Sequence, residues 1–162
     1  MYEVRASFYQ GGTMAKDLKI DVDGVILNIR CGVILRSGEN VVIEISRLGR
    51  NSVLPGGRVR INEHSSVALA REIREETGLE IEKERLQYVK TMENFFNFEG
   101  TDAHEIYFLY EYDLTTEELA YFDGADNLDN QNETYFNLVK NSELERYNLL
   151  PTEIFSIIRR EI

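Results

Sequence analysis

At 162 residues, 43% hydrophobic and 29% charged, the chain fits one globular domain that buries a core without disulfide or metal staples. A net charge of −11 argues against polymeric nucleic acid as a partner, because such binding rests on Lys and Arg neutralising phosphates, but it leaves room for a compact anionic ligand met by local cations. No apolar run approaches the roughly 20 residues of a membrane span, and the N-terminus lacks the basic start and apolar middle of a secretion signal, so a soluble, cytoplasmic protein with no membrane partner is expected.

Residues 1–19 hold no sustained period and are broken by Gly11-Gly12. They read as an N-terminal extension: a flexible arm, an added edge strand, or the contact of a homodimer. The folded domain is expected over 20–162. From Val22 onward, β-branched and apolar runs predict strands at Val25-Ile26-Leu27, Val33-Ile34-Leu35 and Val41 to Ile45, with Ser37-Gly38-Glu39-Asn40 as a hairpin turn between the last two. The single cysteine, Cys31, sits inside such a run and reads as a buried core residue, and the lack of a disulfide framework fits a reducing compartment.

Leu54-Pro55-Gly56-Gly57 demands an irregular, tight backbone. A helix is then predicted from Ser65 to Thr77, free of Gly and Pro and stopped by Gly78. Strands follow at Leu86 to Met92 and Glu105 to Tyr112, then an acidic, Asn-rich loop from Asp123 to Glu133, and a short strand at Tyr135 to Val139. Ser142-Glu143-Leu144-Glu145 has capping-box spacing, and Ile154, Phe155, Ile157 and Ile158 recur at helical spacing within Thr152 to Arg160.

The helix carries the chemistry. At about 100° per residue, Glu72, Glu75 and Glu76 fall within one arc of roughly 100°, while Leu69 and Ile73 are expected to anchor the helix in the core. Glu72 and Glu76 repel each other across one turn, and Arg71 can pair with Glu75 to relieve only part of that crowding. Clustered carboxylate oxygens are what a hard divalent cation such as Mg2+ uses, alongside the phosphates of a substrate. A solvated acidic face would look the same in isolation, so the surrounding residues decide.

Those residues are Gly57, five more, Glu63, seven more, and then Arg71-Glu72-Ile73-Arg74-Glu75-Glu76-Thr77-Gly78-Leu79. The segment matches, without gap or substitution, the Nudix box G-x5-E-x7-R-E-U-x-E-E-x-G-U, in which U is a bulky aliphatic residue. Seven fixed residue types at ordinary frequencies make a chance match on the order of one in 10⁹ per starting position. The chain is thereby identified as resembling the Nudix hydrolases, from about Val22 to its end.

The resemblance implies an α/β/α sandwich with a mixed sheet, and hydrolysis of a diphosphate linkage in a nucleotide-like small molecule. It implies one or more Mg2+ ions, or Mn2+, held by Glu72, Glu75 and Glu76 with the Gly56 carbonyl as a further ligand. Arg71 would hold a ligand carboxylate in place, and Glu63 would orient the loop and helix. The cations would neutralise phosphate oxygens and activate a water for attack on phosphorus, with a carboxylate taking the proton. Glu75 and Glu76 are candidates for that base within the box, Glu133 is the best outside it, and Glu105 follows. His64, at the helix start, reads as local structure. Arg58, Phe95 and Phe96 are candidate substrate contacts; the aromatics, expected in a loop with Phe98, either stack on a base or pack in a core or lid.

Substrate markers known in the family are missing. The only prolines are Pro55 and Pro151, so the proline associated with ADP-ribose is absent, and Phe95, Phe96 and Phe98 stand where a tyrosine is associated with dinucleoside polyphosphates. Thr152 follows the late proline in place of the asparagine associated with oxidised guanine. The alternative function is a Nudix-fold module that binds a nucleotide without turnover, usually marked by a damaged box; this box is intact. RNA cap processing would need a basic surface.

Overall fold

The computed structural model describes residues 16–49, 51–130 and 133–160. Its spine is β2 (Val25–Ser37), which runs parallel to β7 (Thr101–Asp113) along one edge, from Val25 beside Asp102 to Arg36 beside Asp113. Its other edge is shared by three strands in turn: β1 (Lys19–Val22), β5 (Gly56–Arg58) and β3 (Asn40–Ser46), all antiparallel. Beyond β7 lies β6 (Gln87–Phe98). Beyond β3 lie β8 (Thr134–Lys140) and the short β4 (Ser52–Val53), itself parallel to β9 (Leu149–Leu150).

Strand alternation sends the two sides of β2 into different cores. Cys31, Val33 and Leu35 pack with Val42, Tyr112 and Phe136 beneath helix α1 (Ser65–Thr77), contributing Ala68, Leu69 and Ile73. Ile34 packs on the opposite face with Ile43, Leu109, and Ile154 and Ile158 of the C-terminal helix α3 (Ile154–Arg159). A third, short helix, α2 (Thr116–Leu119), follows β7. Helices thus cover both faces of one mixed sheet, the expected α/β/α sandwich. Cys31 is buried as expected, and burial pushes its thiol up to about 12, leaving it neutral.

The hairpin at Gly38-Glu39 closes on the Ser37 and Asn40 pair, and α1 ends on a left-handed Gly78 whose N–H donates to the Arg74 carbonyl at 2.9 Å. Two expectations need correction. The aromatic run Phe95 to Phe98 is not loop but the far end of β6, since its β-favouring residues pair with Thr101 to His104 across a turn at Gly100. The capping box is not at Ser142: residues Asn141–Tyr147 form a 3-10 stretch with no side-chain cap, and the real box is at Thr115 and Glu118, opening α2. Of the N-terminal extension, residues 1–15 lie outside the described residues. Asp17 to Lys19 join the sheet, with the Leu18 N–H donating to the Val59 carbonyl at 2.8 Å. No helix among the described residues is long and apolar enough to cross a membrane.

Candidate active site

Helix geometry grades the three carboxylates by depth. Measured from Leu69, Glu76 lies only about 20° round the helix, Glu72 about 60° and Glu75 about 120°. Burial follows that order: Glu76 is 7% exposed on the stripe shared with Leu69 and Ile73, Glu72 is partly buried, and the Glu75 side chain is 31% exposed. The acidic arc is therefore continuous with the core stripe rather than opposite to it, and it descends into the protein at the C-terminal half of the helix.

Two glycines allow the helix to come this close. A Cβ on Gly57 would stand 2.2 Å from the Glu72 carboxyl carbon, and one on Gly56, whose φ is 144°, would meet the Cys31 carbonyl oxygen at 2.3 Å. Gly56, Gly57, Glu72, Glu75 and Glu76 line one pocket of about 290 Å3, shared with Asp17, Arg30, Arg58, Arg60 and Asp129.

Arg71 organises the outer half of this arc. Its Nε and one terminal nitrogen form a fork on Glu63 at 2.8 and 2.9 Å, and that second nitrogen also donates to the Arg58 carbonyl at 2.9 Å. The other terminal nitrogen reaches Glu72 at 2.7 Å and Glu75 at 3.0 Å. Glu63 additionally accepts the Arg60 N–H at 2.9 Å, which ties the loop to the helix. Those Arg71 hydrogen bonds hold the Glu63 carboxyl below its usual range and raise Arg71 further above its own. His64 precedes the helix as an exposed cap residue whose side chain makes no capping bond.

Glu76 stands apart from that fork. Its Oε2 is buried without a hydrogen-bond partner among the described residues. Burial, with repulsion from Glu44 and Glu72, pushes its carboxyl up to about 9. Glu72 is likewise raised, chiefly by burial. A divalent cation fits this donor set: hard oxygens, one of them orphaned, beside a glycine backbone that a ligand can approach. Among the described residues no three such side chains already form an ion cage, and Glu72 and Glu75 each lend an oxygen to Arg71.

Sequence reasoning missed four neighbours. Glu44 on β3 is buried on the helix side of the sheet and accepts an amide N–H from Asn127 at 2.9 Å. Asn127 in turn accepts the Asp129 N–H at 2.9 Å, and the Leu128 N–H donates to the Glu76 carbonyl at 2.7 Å, so the 123–130 loop is fastened to the end of α1 and brings Asp129 to the pocket. Arg30 lines the same pocket. Two of these had a readable signal: Glu44 and Arg30 are charges at inward-alternating positions of otherwise apolar strands.

Of the expected residues, the structure brings together Gly56, Arg58, Glu72, Glu75 and Glu76, with Arg71 behind them. Glu133 is not among the pocket's lining residues; it is exposed and accepts from the Asn130 amide at 3.3 Å. Phe95, 67% exposed, stacks on His104 with ring centroids 4.5 Å apart, on the face of β6 opposite to Phe96. Phe96 instead lines a second cleft with Arg30, Arg58 and Glu105.

A family model described as the NUDIX domain matches residues 27–150. No match is found among curated protein sequences. Among solved structures, a MutT NUDIX hydrolase from Burkholderia pseudomallei is similar at 18% identity and TM-score 0.60, over 84% of this chain and 98% of that one. A MutT protein from Bacillus halodurans is similar at 16% identity and TM-score 0.61, over 82% and 80%. An Ap4A hydrolase from C. elegans is similar at 17% identity and TM-score 0.51, over 83% and 95%. At such identities these likenesses speak for the fold.

Proposed function

As the chain belongs to the Nudix hydrolase family, we propose that it is a Mg2+-dependent, or Mn2+-dependent, pyrophosphohydrolase that cuts the diphosphate linkage of a nucleoside diphosphate derivative or nucleoside triphosphate. The observation that carries this reading is the orphaned, deeply buried Glu76 oxygen beside Glu72 and the two-glycine backbone of β5. Glu72, Glu75, Glu76 and the Gly56 carbonyl would hold the cation. When bound, it supplies positive charge that neutralises phosphate oxygens and makes water a better nucleophile.

The chain's own residues do the rest. Arg71 fixes Glu72 and Glu75 through one shared nitrogen while its fork on Glu63 prevents the guanidinium from turning away. Arg30 and Arg58, on the pocket wall, offer cations to the anionic substrate and counter the repulsion of an acidic protein. Glu75, the most exposed of the three carboxylates, is the box residue best placed to take a proton from an attacking water. Glu76 is tied to the cation by its depth and its unpartnered Oε2. Glu133 lies outside the pocket, and Asp129 is the carboxylate that the late loop contributes.

The test is a panel of nucleoside triphosphates, ADP-ribose, NADH, dinucleoside polyphosphates and nucleotide sugars, assayed with Mg2+, with Mn2+ and with chelator. Metal-dependent release of phosphate products from at least one is expected. Ligand binding with no turnover on any of them would favour the nucleotide-binding module instead.

A further inference from the structure

The acidic pocket does not end at its arginines. Arg30 and Arg58 line a second cleft of about 560 Å3, built across β1, β2, β6 and β7, so the two cavities share one pair of cations. That volume lies within the range of small-ligand sites. The even-numbered residues of β2 point into it: Ile26, Asn28 and Arg30 descend the sheet towards the carboxylates of α1. Phe96 and Phe98 enter from β6 on the same face, and both are substantially exposed.

Among its lining residues only two are buried, and both are polar: Asn28 and Glu105. Glu105, 5% exposed, is held from two sides. Asn28 Nδ2 donates to its Oε2 at 2.9 Å, and Asn94 Nδ2 donates to its Oε1 at 3.4 Å. Asn28 is itself oriented, since its Oδ1 accepts from Arg58 Nε at 3.3 Å. Each carboxylate oxygen can accept more than one hydrogen bond, so a fixed carboxylate with one bond per oxygen retains acceptor capacity on both.

We propose that this cleft takes the base of the substrate and that Glu105, fixed by Asn28 and Asn94, selects guanine. The inference rests on the hydrolase reading of the neighbouring pocket and names its substrate class. Guanine is the natural base that presents a ring N–H and an exocyclic amino group side by side, two donors for the two oxygens of one carboxylate. Adenine and cytosine present an amino group flanked by a ring acceptor, and uracil a ring N–H between two carbonyls. In each of those cases an acceptor lone pair would face the buried carboxylate unpaired, which costs more than an absent contact. Phe96 and Phe98 supply the apolar wall against which a base can lie, and Arg30 and Arg58 stand where base cleft and carboxylate pocket meet, as cations for the phosphates between.

The experiment measures binding of GMP, AMP, CMP and UMP to the full chain by NMR titration with chelator present, so that no turnover is needed. GMP is expected to bind at least about tenfold more tightly than the other three, because a site built to pair donors rejects bases that lack them. Glu105→Gln should abolish that preference, and Phe96→Ala should weaken all four by similar factors. Equal binding of the four, preference for another base, no measurable GMP binding, or a guanine preference that survives Glu105→Gln would overturn the proposal. Metal-dependent cleavage of all four nucleoside triphosphates with equal efficiency would overturn it too, while leaving the hydrolase reading intact.

Discussion

Arg71 is the residue on which most of the site's order depends. Its side chain is 11% exposed and satisfies three carboxylates and one backbone carbonyl. Removing one partner of such a network leaves charges uncompensated in a partly dry setting, so Arg71→Ala is expected to lower stability by about 3 kcal/mol, read by urea denaturation. Glu63 gives a separate, pH-dependent reading. Its carboxyl is held below 4.5 in the folded protein by the Arg71 hydrogen bonds, so its stabilisation is complete above pH 4.5 and is lost as pH falls through the lowered folded value. In Glu63→Gln, acid denaturation curves should lose that part of their slope below pH 4.5, and an unchanged acid limb would show that the fork does not form. Both residues were legible in the sequence because the box spacing fixed them. Glu44 and Arg30 carried a weaker signal, since a single charge in an apolar strand marks a buried polar position but does not say what lies opposite it.

Among the elements, helix α1 was readable to the residue, from its Gly- and Pro-free run to its Gly78 stop. What the sequence could not give was the depth of its carboxylates: an arc on a helical wheel has no inside until the sheet is placed, and only then does Glu76 fall on the core stripe. The long β6 and β7 ribbon was under-read because Phe95 to Phe98 mix aromatics with Asn and Gly-flanked turns, and pairing with β7 settled the matter. The capping box at Ser142 failed for a similar reason, local spacing being satisfied at many places while tertiary contacts choose among them. The loop after α2 is the element whose placement is most open to test. Asn127 is buried and donates to Glu44 while its oxygen accepts the Asp129 N–H. Asn127→Ala should therefore cost about 1–3 kcal/mol, because a buried carboxylate and an amide N–H lose their partner, and hydrogen exchange should accelerate across residues 123–130 while β2 and β7 stay protected. Uniform exchange across the chain would mean the loop is not fastened there.

At the scale of the whole molecule, one curled mixed sheet does two jobs. One face, under α1, buries the core that carries the carboxylates; the other, under α3, opens between β1 and β6 into the cleft lined by Asn28 and Glu105. The sandwich and its reaction class were legible because a 23-residue pattern is specific enough to carry a fold with it, whereas the cleft was not, being assembled from the β1–β2 and β6–β7 segments, which lie far apart in sequence, with Arg58 of β5 between them. The catalytic role of Glu76, at the deep end of α1, is tested by 31P NMR of a cleaved nucleotide substrate incubated with Mg2+ and either the natural chain or Glu76→Gln, both shown to be folded by circular dichroism. Metal-dependent P–O–P cleavage by the natural chain, slowed by at least about 10²-fold in Glu76→Gln at an unchanged melting temperature, is the expected result. Cleavage at an equal rate by the variant would contradict it and remove Glu76 from the site.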